Sequence, residues 1–143
     1  MRSDFLNVNS SATFTHKRKV QSINADITLT NADSGKVFML DATDGTVAIT
    51  LPTTSTGEDG VYYKFVVEEE TPSNAITIAA GSAIVSFVGL DVSGTAASTA
   101  GTQISNVIIG TSAQKGDVVE LMFTKKEYVG TALSGINGSI TTS

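Results

Sequence analysis

The chain has 143 residues, no cysteine, 16% charged residues and a formal net charge of −5. That length can bury one substantial core, so one domain is the expectation. The missing thiols exclude a disulfide scaffold, a thiolate zinc site and a cysteine nucleophile, and leave the redox compartment open.

No apolar run approaches the ~18 residues of a membrane span. The first nineteen residues, MRSDFLNVNSSATFTHKRK, lack the continuous apolar segment of a secretory signal. The expectation is a chain that folds where it is made and does not enter a membrane. Ser and Thr fill much of the polar space, a composition that favours strands and turns over exposed helices.

The charge is uneven. Residues 1–19 carry Arg2, Lys17, Arg18 and Lys19 against Asp4 alone, while the remainder is strongly acidic. Phe5, Leu6, Val8 and Phe14 stand there as isolated apolar residues without a sustained period. This reads as an N-terminal arm, residues 1–19, on a single β-sandwich domain, residues 20–143. Such an arm orders on binding, with Phe5 and Phe14 as anchors and Arg2, His16, Lys17, Arg18 and Lys19 as polar contacts.

Val20 to Thr30 reads as a first strand, and Asn31-Ala32-Asp33-Ser34-Gly35 as a turn. Residues 35–67 then organise the chain as strand, turn, strand, loop, strand. Thr46 to Leu51 alternates polar and apolar, and Asp44-Gly45 predicts a tight hairpin between the first two runs. Pro52 closes the second run, since it has no N–H for a ladder. Val61 to Val67 (VYYKFVV) is rich in β-branched and aromatic residues. Its alternation cannot bury both Tyr62 and Tyr63, so one of them points outward or into a neighbouring subunit.

Ala75–Ala80 and Ala83–Gly89 predict two strands separated by a Gly81-Ser82 turn. Residues 91–102 (DVSGTAASTAGT) read as a long loop. Gln103–Gly110, Asp117–Thr124 and Lys126–Leu133 complete about nine short antiparallel strands, before a Gly/Ser-rich tail. This spacing, with no amphipathic helix, predicts an all-β sandwich or jelly roll. No solenoid or propeller repeat is visible.

Few residues suggest chemistry. His16 is the only histidine and sits in the arm, where no third group can orient it for a Ser-His-Asp triad. Glu58, Asp59, Glu68, Glu69 and Glu70 are numerous enough for a glycosidase pair, but they fall in solvated Gly/Pro-flanked turns. Asp41 and Asp44-Gly45 supply part of a calcium loop without its remaining oxygen ligands. Lys17-Arg18-Lys19 is a short basic run beside an acidic body, which fits a protein partner better than nucleic acid. No glycine spacing matches a nucleotide-binding loop. The expectation is therefore a protein that is not an enzyme and uses no cofactor or metal.

One pattern points to a family. Val37, Phe38, Leu40, Asp41, Ala42 and Gly45 lead into Ile49-Thr50-Leu51-Pro52. Gly60, Tyr63, Phe65, Val67 and Ile76-Thr77-Ile78 follow. This stretch resembles small β-rich virion proteins of tailed bacteriophages, especially capsid decoration (cement) and head-fibre proteins. The resemblance covers about residues 35–80 and implies a homotrimer, made in the host cytoplasm, on the capsid exterior. It also implies that the major capsid protein is the partner, bridged and stabilised without chemistry. The alternative is a head- or tail-fibre module that recognises host surface glycans.

Overall fold

The computed structural model describes residues 17–53, 59–91, 96–98, 104–124 and 127–143. The fold is all-β. Its eleven strands are β1 (Val20–Ile23), β2 (Ile27–Thr28), β3 (Val37–Leu40), β4 (Val47–Thr50), β5 (Tyr62–Val67), β6 (Ile76–Asp91), β7 (Ala96–Ser98), β8 (Ile104–Ile109), β9 (Val118–Thr124), β10 (Glu127–Ser134) and β11 (Ile140–Thr142). Among the described residues no helix is long and apolar enough to cross a membrane.

The strands form two packed sheets that share β6. The wide sheet runs β1-β3-β5-β9-β10-β6-β7, and the narrow one runs β2-β4-β6-β8-β11. The first part of β6 lies between β4 and β8 in the narrow sheet. Its later part lies between β10 and β7 in the wide one.

Several expectations need correction. Among the described residues there are eleven strands rather than nine, and half of their ten pairings are parallel rather than antiparallel. Four of the five parallel pairings follow from the path of the chain through residue 79, and the fifth joins β10 to the later part of β6. Strands β1, β3 and β5 stack in parallel in one sheet, while β2, β4 and β6 stack in parallel in the other. The chain therefore winds through three turns of a flattened coil. Each strand in one sheet serves as the crossover that a parallel pair in the other sheet requires.

The Asp44-Gly45 hairpin does not form. β3 pairs with β1 and β5, and β4 pairs with β2 and β6, so the bend at 41–46 carries the chain between sheets. Gly45 lacks the left-handed φ that a two-residue hairpin turn demands. Side chains fix the bend instead. Asp41 Oδ1 accepts from the Thr43 amide at 3.0 Å and its hydroxyl at 2.7 Å, and Asn74 Nδ2 donates to the Ala42 carbonyl at 2.9 Å.

The same logic divides Val20–Thr30 into β1 and β2, one in each sheet. Gly81-Ser82 lies inside β6, so the two strands predicted around it are one. The stretch 91–102 contributes the end of β6 and β7. Its other residues, 92–95 and 99–102, lie outside the described ones. The polar tail contributes β11, which pairs with β8.

The core fills from aligned ladders. Phe38 stacks on Phe65 with ring centroids 5.5 Å apart, and Ile23, Leu40 and Val67 form the next rung. From the narrow sheet, Ile49, Ile78 and Val107 face them in register, all fully buried. Each such side chain contributes about 1.5–3 kcal/mol through the water it leaves.

Tyr63 is buried and donates to the Thr30 carbonyl at 2.9 Å, while Tyr128 is buried and donates to the Pro52 carbonyl at 3.1 Å. Each phenol thus satisfies its polar end within the apolar interior. Phe123 meets Tyr128 edge-on at 5.4 Å. Tyr62, next to Tyr63, faces out, as alternation requires.

Candidate interaction surfaces

The parallel pairing of β1 with β3 brings the start of the described chain beside the turn before β3. Lys17, Arg18 and Lys19 are exposed there, and the Lys19 carbonyl accepts the Val37 amide at 2.9 Å. With Ser34, Gly35 and Lys36 they line a hollow of about 370 Å³. Lys36 was not legible as part of a basic group, because only β pairing places it next to residues 17–19. Its Nζ is held by Asp33 at 2.5 Å and by Gln21 Oε1 at 3.1 Å. That ammonium, with the Thr30 amide, holds the Asp33 carboxyl below its usual range. The other proposed arm contacts, Arg2, Phe5, Phe14 and His16, lie outside the described residues.

Arg18 connects this basic corner to the outer face of the wide sheet. Its guanidinium lies over the Tyr62 ring, 5.5 Å from the centroid, a cation–π contact. Across that face Lys64 and Glu120 form an ion pair at 2.9 Å. Lys64 is the main cause of a lowered Glu120 carboxyl, opposed by partial desolvation and aided by the Tyr62 hydroxyl. Partial burial, and then the neighbouring Glu120, push the Tyr62 phenol up. Tyr62, Val88, Met122 and Val129 bound a shallow trough of about 330 Å³ beside this cluster.

The two outer faces of the sandwich differ in character. On the narrow sheet the outward positions include Thr28, Ala48, Thr50, Thr77 and Asn106, the usual covering of a solvated sheet, with Ile108 half-buried among them. On the wide sheet Val88, Leu90, Met122 and Leu133 are exposed, with Val20 65% exposed at the edge strand. Half-buried Val37, Met39, Val66 and Val118 continue the same face. The sequence signal was present in the β9 alternation, where Met122 falls on the side opposite Leu121 and Phe123. Only the pairing showed that every neighbouring strand adds apolar residues to that side.

The carboxylates are occupied with structure. Glu68 accepts from the Ser22 hydroxyl at 3.2 Å, Glu69 from the Ala42 amide, and Glu70 lies 3.6 Å from Lys115. Asp59 is exposed, and Glu58 lies outside the described residues. Among the described residues the one buried carboxylate, Asp117, accepts from the amides of Gln114 and Gly135 at 3.0 and 2.7 Å and from the Ser134 hydroxyl at 2.9 Å. It ties two loops together. Among the described residues no group of three or more His, Asp or Glu could hold a metal ion.

A comparison with protein-family models finds no match, and no curated protein matches the chain.

Proposed function

We propose that this chain is a structural virion protein: a capsid decoration protein of a tailed phage, most simply a homotrimer, that binds the outer capsid surface and bridges major capsid proteins. It is not an enzyme in this reading and needs no cofactor. Binding only the assembled shell shifts the equilibrium towards that shell by mass action. The observation that carries the reading is the basic corner formed by Lys17, Arg18, Lys19 and Lys36 on a chain of net charge −5. A local patch of opposite sign steers a partner to one end of an otherwise acidic body. The resemblance of residues 35–80 to decoration proteins supports the same conclusion.

The test is cosedimentation with phage capsids. The wild-type chain is expected to pellet with the shells and raise their melting temperature, more weakly as salt is added. Lys17→Glu combined with Lys19→Glu is expected to weaken binding by roughly tenfold or more. Wild-type protein that leaves every shell unchanged rejects the reading, and a reversal variant that binds as before rejects the role of the basic corner.

A second reading, a fibre module for host glycans, draws on the Tyr62 trough. An aromatic wall beside a carboxylate is the usual arrangement for a sugar ring. Binding on a glycan array that is lost in Tyr62→Ala would favour it over decoration.

A further inference from the structure

We propose that the outer face of the wide sheet is where copies of this chain meet one another. The argument starts from the asymmetry of the sandwich. One outer face carries Thr, Ala and Asn around a single half-buried Ile108, whereas the other exposes Val88, Leu90, Met122 and Leu133 in adjacent rows. Their adjacency is set by register: Leu133 lies opposite Leu90, and Thr131 opposite Val88, across the β10–β6 pair, while Met122 lies opposite Val129 and Tyr62.

Seven strands about 4.8 Å apart, with outward rows about 6.8 Å apart, make a platform of roughly 30 by 20 Å. That is on the order of 600 Å² for the whole face before side-chain relief, its polar positions Ser22, Lys64, Glu120 and Thr131 included, close to the ~800 Å² that each partner gives to a standard interface.

Electrostatics selects the occupant. The charges on this face balance: Lys64 and Glu120 pair at 2.9 Å, Arg18 lies over Tyr62, and Glu127 stands on the outward side of β10. The chain as a whole is −5. An apolar face whose charges balance lets two copies of an acidic chain approach without like-charge repulsion, and it has apolar area to bury that the polar face lacks. It offers no excess charge to attract a basic partner or an anionic surface. The trough beside Tyr62 supplies a recess for an apolar side chain from the other copy, the usual form of an interface anchor. This proposal does not depend on the decoration reading, because self-association is measured with the purified chain alone.

The experiment is light scattering on the full-length chain after gel filtration, over a range of concentrations. The wild type is expected to show the mass of two or more copies. Met122→Glu with Leu133→Glu is expected to give the single-chain mass with an unchanged circular dichroism spectrum. Thr50→Glu, on the other outer face, is expected to leave the oligomer intact. Since the chain has no cysteine, Met122→Cys gives a second readout that does not depend on the charged variant folding. Its thiol is expected to label roughly tenfold more slowly at high than at low protein concentration, as mass action fills the interface. Thr50→Cys is expected to label equally at both. A monomeric wild type, an oligomer that survives the double substitution, or Met122→Cys labelling independent of concentration overturns the proposal. A monomer that loses capsid binding on the double substitution assigns the face to the capsid and overturns it too.

Discussion

Single side chains carry distinct parts of this fold, and two make sharp tests. Asp117 holds two amides and a hydroxyl from loops at 114 and 134–135. Asp117→Ala takes their acceptor from the Gln114 and Gly135 amides, while the Ser134 hydroxyl keeps the Ile136 carbonyl, and it is expected to lower unfolding free energy by about 1–3 kcal/mol in a denaturant titration. Asp117→Asn, which keeps part of the acceptor capacity, is expected to lose less. Gly130 lies in the inward ladder between Leu121 and Phe87, and a Cβ added there would overlap both side chains. Gly130→Ala is expected to destabilise by about 1–3 kcal/mol, and Gly130→Val by more, read as a lower melting temperature. Neither residue announced its role in the sequence. Both fall inside predicted strands, Asp117–Thr124 and Lys126–Leu133, with no role assigned, because their partners are brought in by long-range pairing.

At the scale of strands, β11 is the simplest prediction. It covers the edge of β8, and Ser143 exchanges backbone hydrogen bonds with Asn106. Removing residues 140–143 is expected to leave β8 as an open edge, lowering the melting temperature and promoting aggregation on heating. Most strands were legible by alternation. Val119, Leu121 and Phe123 face in as their spacing implied, and Tyr63 went inside while Tyr62 did not. Partners were not legible. Asp44-Gly45 has hairpin chemistry, but both edges of β3 and of β4 are taken by other strands. The coil escaped notice because its turns differ in length. Val20, Val37 and Lys64 align in one sheet, and Ile27, Ile49 and Ile78 in the other, with no fixed spacing to register as a repeat. Of the candidate surface, Lys17-Arg18-Lys19 could be read directly, whereas Lys36 and the apolar sheet face required the fold.

The molecule as a whole should respond to acid in a definite direction. The Lys36 ammonium lowers Asp33, the Thr43 amide lowers Asp41, and the Lys64 ammonium lowers Glu120. A carboxylate whose folded value is depressed adds stability above its unfolded value and loses it as pH falls through the folded one. Melting temperature is therefore expected to hold near neutrality and to decline below about pH 4, where unfolded Asp and Glu begin to take up protons. Lys64→Met is expected to reduce that decline by removing the main cause at Glu120. Added salt is expected to shrink it, since these pairs are partly exposed.

The shared strand β6 has a consequence for how the protein comes apart. Its sixteen residues run as one strand through both layers, with a register irregularity between Ala79 and Ile84 where it passes from one to the other. A tear that opens one layer must either stop at this rail or run along it into the other. The two layers are thereby expected to melt as one, giving a calorimetric enthalpy equal to the van't Hoff value. The same rail would transmit a pull on one layer to the other, so the body would yield in a single snap rather than by slow delamination.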